Sequence, residues 1–153
     1  MKVSLGEFQF LNGGKMEINE ILTTIEAKRN FIEGLIRLAK VDGFIDEKEF
    51  AFFQQAAYGL GLNDDIVQEI NTLRENDAKI VIKFISNKEK LFFLIQAVQL
   101  CLIDGTYSDV EQKEIRDICK EINISYDSLT EIEKWAYEGI AWNKRGDELL
   151  NLK

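Results

Sequence analysis

Residues 38–49 read Leu-Ala-Lys-Val-Asp-Gly-Phe-Ile-Asp-Glu-Lys-Glu, and residues 102–111 read Leu-Ile-Asp-Gly-Thr-Tyr-Ser-Asp-Val-Glu. Each stretch ends an apolar, helix-patterned segment with an Asp-Gly turn and then starts another helix. A shift of 62 positions (104 minus 42) superimposes the two turns and their flanking apolar positions without a gap. The sequence therefore predicts two copies of one helical hairpin, packed on a shared core and related by a pseudo-twofold axis.

The composition favours one all-α domain. The chain has 153 residues, of which 46% are hydrophobic, and it contains no proline to interrupt a helix. Its net charge of -8 argues against a nucleic-acid partner, because phosphate binding depends on clustered Lys and Arg. No apolar run is long enough to span a membrane, and no secretory signal is evident, so we expect a cytoplasmic protein without direct membrane insertion.

Hydrophobic periodicity predicts a compact all-α bundle of about seven helices. Residues 1–14 are expected to form an N-terminal arm, residues 15–140 the helical domain, and residues 141–153 a C-terminal tail that is either helical or loose. The two repeat units cover about residues 29–75 and 87–140. The expected helices span residues 18–40 (one helix or two abutting ones), 47–58, 64–74, 78–85, 87–103, 109–122 and 126–140.

Histidine is absent from the chain, and cysteine occurs only twice. The chain has no histidine, which removes Ser-His-Asp and Cys-His hydrolases and the commonest zinc ligand. Cys101 and Cys119 are too far apart for a C-x-x-C motif and fall on apolar helix faces, so both are expected to be buried and reduced. We therefore expect no catalytic residues and no enzyme activity.

The acidic turns allow a purely structural interpretation. Glycine suits the left-handed residue that ends a helix, and Asp46 with Glu49, like Ser108 with Glu111, has the spacing of a helix N-cap and its partner. In this interpretation the duplicated motif does no more than end one helix and start the next.

Asp42 and Asp104 are not explained by capping. Each carboxylate would lie at the C-terminal end of a helix, where it opposes the negative end of the macrodipole. A hard cation such as Ca²⁺ or Mg²⁺, rather than Zn²⁺, would reverse that unfavourable interaction, and so would a basic protein surface. Structural capping, cation binding and a basic partner remain the three alternatives.

The duplicated turn motif resembles the TerB-like tellurite-resistance family over about residues 31–140. The resemblance implies a helical fold with internal pseudo-symmetry and a shared acidic face that binds a divalent metal. It also implies a role in tellurite or other chemical stress, and attachment to membrane-associated complexes. Ser108 departs from the pattern, because it replaces one expected carboxylate. The residues carried over as metal ligands are Asp42, Asp46, Glu49, Asp104, Asp109 and Glu111.

Two functions follow from these observations. The first is a non-catalytic protein of a stress-response system that binds a divalent cation through the acidic face. The second is a helical interaction or scaffold module without metal, whose acidic turns are helix caps and whose Trp135, Trp142, Phe8 or Phe10 docks a protein partner. The identity of the partner and the oligomeric state stay open.

Overall fold

The computed structural model describes residues 18–41, 43, 45–76, 79–103 and 106–152. Every regular element in these ranges is helical, and the prediction of an all-α bundle of about seven helices is confirmed. The predicted arm, residues 1–14, lies outside the described residues, and the pseudo-twofold relation stays a prediction. In chain order the helices are α1 (Ile18–Ile21), α2 (Ile25–Lys40), α3 (Glu47–Gly59), α4 (Asp64–Asn71) with a 3-10 turn (Thr72–Arg74), α5 (Asn87–Ile103), α6 (Asp109–Ile122) and α7 (Tyr126–Leu150).

Helices α2 and α5 form the centre of the bundle. Helix α2 packs against α3, α4, α5 and α6, whereas α5 packs most extensively against α7. Phe31 of α2 meets the ring of Phe93 edge-on at 6.2 Å between centroids, and both side chains are fully buried. Gly34, one turn further along α2, makes room for the same Phe93 ring. In the described part of the chain, no helix is both long and apolar enough to cross a bilayer.

Side-chain caps define where the helices begin. Thr24 separates α1 from α2, and its hydroxyl accepts a hydrogen bond from the Ala27 amide at 3.0 Å. The segment predicted over residues 18–40 is therefore two helices. Asn63 and Ser125 are the N-caps of α4 and α7, because each side chain accepts a hydrogen bond from the backbone at the start of its helix.

The helix predicted over residues 78–85 is wrong. Residues 79–85 form no helix in the structure, and their alternating burial is that of an extended segment: Ile80, Ile82 and Phe84 are buried, whereas Val81 and Ile85 are exposed. The backbone of this segment is hydrogen-bonded by α2, since Asn30 Oδ1 accepts from the Lys83 amide at 3.1 Å and Arg37 donates to the Ile80 carbonyl at 3.2 Å. The alternating burial has the two-residue period of a strand.

Helix α7 extends beyond residue 140, where the helix was expected to end. Leu129, Ile132 and Ala136 bury its first half, and the helix then continues without a break to Leu150. The predicted tail is thus helical through most of its length. All fourteen residues from 137 to 150 are exposed, so this half of α7 projects from the bundle by about 21 Å at 1.5 Å per residue.

Candidate functional site

The first acidic turn has the geometry of a helix cap. Gly43 has a positive φ of 121°, as predicted for the residue that ends α2, and its amide donates to the Lys40 carbonyl. The Asp46 carboxylate accepts a hydrogen bond from the Glu49 amide at 2.8 Å, which makes Asp46 the N-cap of α3. Glu49 is itself buried, with 5% of its surface exposed. Asp42 lies outside the described residues.

The second acidic turn is a complete capping box. The Ser108 hydroxyl accepts a hydrogen bond from the Glu111 amide at 3.2 Å, and Glu111 Oε1 accepts from the Ser108 amide at 3.0 Å. Glu111 is 1% exposed, whereas Asp109, the first residue of α6, is exposed. Ser108 is therefore well suited to its position as an N-cap. Asp104 lies outside the described residues.

The described carboxylates do not form a cation site by themselves. In the described ranges no group of three or more Asp, Glu or Cys side chains is arranged to hold a metal ion. Asp46 and Glu111 each accept cap hydrogen bonds on one carboxylate oxygen, so both carboxylates have a structural role at their helix starts. Cation binding at the turns depends on Asp42 and Asp104 and stays a prediction.

The two cysteines are core residues. Cys101 and Cys119 are free thiols with no exposed surface, as expected from their places on apolar faces. Burial, reinforced by the nearby Glu133 carboxylate, raises the pKa of the Cys119 thiol to about 11. Cys119 is thus protonated and unreactive at neutral pH.

A charged cleft of about 610 Å³ lies between α2, α6 and the extended segment. Arg37, only 10% exposed, joins these elements: its Nε donates to Glu114 at 2.5 Å, and its two terminal nitrogens donate to Glu121 at 2.6 and 3.0 Å. The Nζ of Lys40 donates to the Leu73 carbonyl at 2.6 Å. Because the side chains of Arg37 and Lys40 already donate to protein acceptors, we assign the cleft a structural role. We call the ion pairs of Arg37 with Glu114 and Glu121, which join α2 to α6, the ionic tie.

Among the described residues, exposed large apolar side chains are concentrated on α7 from Trp135 onward. Trp135 is 43% exposed, Trp142 is 77% exposed and Leu149 is 51% exposed. These residues recur every seven positions, and Gly139 and Gly146 lie between them on the same side of the helix. The two tryptophans were predicted as docking residues, but the glycines and the seven-residue spacing were not used, although both can be read from the sequence. We call these five residues the α7 stripe.

The described residues support the capping interpretation of the acidic turns more directly than the cation-binding interpretation. The capping roles of Asp46 and Ser108 are present as hydrogen bonds. The predicted cation face and the family resemblance rest on the two turn motifs. Comparison of the chain with protein-family models, with curated proteins and with solved structures gives no match.

Proposed function

We propose that this chain is a non-catalytic helical interaction module that docks a protein partner on the α7 stripe. The observation that carries the proposal is Trp142, a large apolar side chain that is 77% exposed in the middle of a fourteen-residue stretch without a buried side chain. A contiguous apolar patch on a projecting element is typical of an interaction surface. Tryptophan is also among the residues most enriched where binding energy concentrates.

The local energetics of α7 support the same proposal. A helix of about 14 residues without tertiary packing is marginal in water. Gly139 and Gly146 weaken it further, by about 1 kcal/mol each relative to alanine, and a Cβ at either position would meet no atom of the described residues within 4 Å. Alanine would therefore fit the unbound protein better. Glycine is favoured if the helix backbone is approached closely by another molecule.

The resemblance to the TerB-like family supports a setting for such a module in a tellurite or chemical-stress system. In that setting a divalent cation bound at the acidic turns would be a second ligand. Support for the cation comes from the repeated placement of Asp42 and Asp104 after a helix, where their charge opposes the macrodipole.

Site-specific photo-cross-linking in the native cells tests the docking proposal. A photo-activatable residue at position 142 should give a discrete adduct with a protein. The matched position 144, about 160° around the same helix, should give little or none. Mass spectrometry of the adduct identifies the protein that is bound. No adduct at 142, or equal adducts at 142 and 144, would contradict the proposal.

A further inference from the structure

We propose that the partner of the α7 stripe is a second copy of this chain, bound through the same stripe in antiparallel orientation. The inference rests on the proposed function, because it names the partner of that same surface. It follows from the register of large and small residues along α7 and from the charges that flank them.

The stripe has the heptad spacing of a helix that pairs with another helix. At 100° per residue, its five members fall within an arc of about 80°. Trp135, Trp142 and Leu149 occupy one heptad position, and Gly139 and Gly146 occupy the position four residues later, as d and a positions alternate in a coiled coil. Ile132 occupies the heptad position of the two glycines and lies at the edge of the stripe, about 60° around the helix from Trp135, whereas Ala136 lies about 100° from Trp135. Ile132 is 9% exposed, so the stripe is open to a second helix from Trp135 onward.

In an antiparallel pair, each large tryptophan side chain lies opposite a glycine of the second copy. In an antiparallel pair, an a position of one copy faces a d position of the other copy. In the register proposed for this helix, the residue numbers of two facing positions add up to 281. Gly139 then faces Trp142 of the second copy, and Gly146 faces Trp135 of the second copy. Each indole therefore enters a space that a Cβ would narrow, which accounts for glycine at both positions.

The flanking charges favour this orientation over the parallel one. In the antiparallel pair, Glu138 lies beside Arg145 of the second copy, and symmetry produces this contact twice. In a parallel pair, Glu138 would flank Asn143, and Arg145 would flank Leu150, so no opposite charges would meet. Among the described residues of one copy, Arg145 has a single long contact of 3.4 Å, to Glu148, with both side chains more than half exposed. That contact leaves Arg145 available for the second copy.

The surface available predicts a weak dimer. A tryptophan can bury about 150–250 Å², so two copies of the stripe with the adjoining Leu150 would bury on the order of 1,000 Å². Leu150 is 85% exposed and adds to the edge of this area. An interface of that size lies at the lower end of specific complexes, and the dimer should therefore form in a concentration-dependent manner.

Sedimentation equilibrium of the full chain tests the inference, over protein concentrations from about 1 to about 300 µM. The wild type should approach twice the monomer mass at the upper end. Glu138→Arg and Arg145→Glu each place like charges together twice and should raise the dimer Kd at least about tenfold. The double variant restores opposite charges and should return the Kd to near the wild-type value. Lys144→Glu, which makes the same charge change on the far side of α7, should leave it unchanged.

Several outcomes overturn the inference. It fails if the wild type stays monomeric at every concentration, or if the double variant does not recover. A cross-link from position 142 only to a different protein would overturn the second copy but leave the docking proposal standing. The absence of any cross-link would remove both.

Discussion

Gly34→Ala is the sharpest test of how α2 and α5 pack. In an exposed helix interior this change stabilises by about 1 kcal/mol. At Gly34 the added Cβ would lie 2.5 and 2.7 Å from two ring carbons of Phe93 and 3.1 Å from the terminal carbon of Ile82. The Phe93 ring is fully buried, so it has little room to move away.

The expected loss follows from these two opposed effects. Inserting an extra carbon into a close-packed core costs about 1–3 kcal/mol. The short distances from the added Cβ to the Phe93 ring place Gly34→Ala in the upper part of that range. After the gain in helix propensity, the net destabilisation should be about 1–2 kcal/mol. For a chain of this size that corresponds to a drop of about 2–8 °C in the unfolding midpoint.

Gly139→Ala is the matched control, because the same atom is added in another helix interior and meets nothing within 4 Å. Thermal unfolding followed by circular dichroism at low protein concentration should show a lower midpoint for Gly34→Ala only. Gly139→Ala should keep the midpoint and gain helical signal in the projecting half of α7. If the two variants unfold alike, the packing of Phe93 against Gly34 is refuted.

Three further predictions concern ionic ties, caps and cations. The Arg37 hydrogen bonds, opposed by partial burial, lower the pKa of Glu121 below its ordinary value of 4.5, so this tie stabilises the fold above pH 4.5 and is lost as the pH falls through the lowered pKa. Urea titrations should therefore show Arg37→Met destabilised by about 2 kcal/mol at neutral pH, with the gap to wild type narrowing in acid, and a gap that is constant with pH would contradict the tie. Ser108→Ala should cost about 0.5–2 kcal/mol through loss of the α6 cap, measured in the same titrations, whereas an unchanged stability would show that the cap contributes nothing. If the acidic turns bind a cation, millimolar Ca²⁺ or Mg²⁺ should raise the unfolding midpoint of the metal-stripped protein, and Asp42→Ala/Asp104→Ala should abolish the rise; the absence of any rise in the wild type would remove cation binding from the account.

The helices could be predicted well because their signals are local. Caps such as Asn63, Ser108 and Ser125 act on amides within three residues, so their spacing in the sequence is enough to locate a helix start. The burial of α5 can be read from the sequence for the same reason, since residues 91–103 are apolar at every position except Gln96 and Gln99. Periodicity located these elements without any knowledge of what packs against them.

Residues 79–85 were mispredicted because two local signals competed. The short apolar run of this segment fits a helix or a strand, and only its alternation of Ile80, Ile82 and Phe84 separates the two. The extended form is stabilised at a distance, by the side chains of Asn30 and Arg37 on α2. No window of the sequence that contains the segment alone includes those partners.

The candidate sites also combine features that have a local signal in the sequence with features that depend on packing at a distance. Asp46 and Glu111 could be placed at helix starts from their spacing, but which carboxylates come together in space depends on how the turns pack. On α7, the seven-residue spacing of Trp135, Trp142 and Leu149 was available in the sequence. It was hidden because the tail is mostly polar, and a search for a buried 3.6-residue stripe does not detect a face that the chain itself leaves exposed.

Amide hydrogen exchange localised to peptides tests the central claim, that the projecting half of α7 is an interface. In dilute protein, the amides of residues 137–150 should exchange rapidly, because an unpacked helix of this length opens easily. In concentrated protein they should become protected, while peptides from α6 (Asp109–Ile122) exchange at the same rate in both samples. Arg145→Glu should remove the concentration dependence. If residues 137–150 exchange equally fast at both concentrations, a second copy does not bind the α7 stripe, and the account is contradicted at its main point.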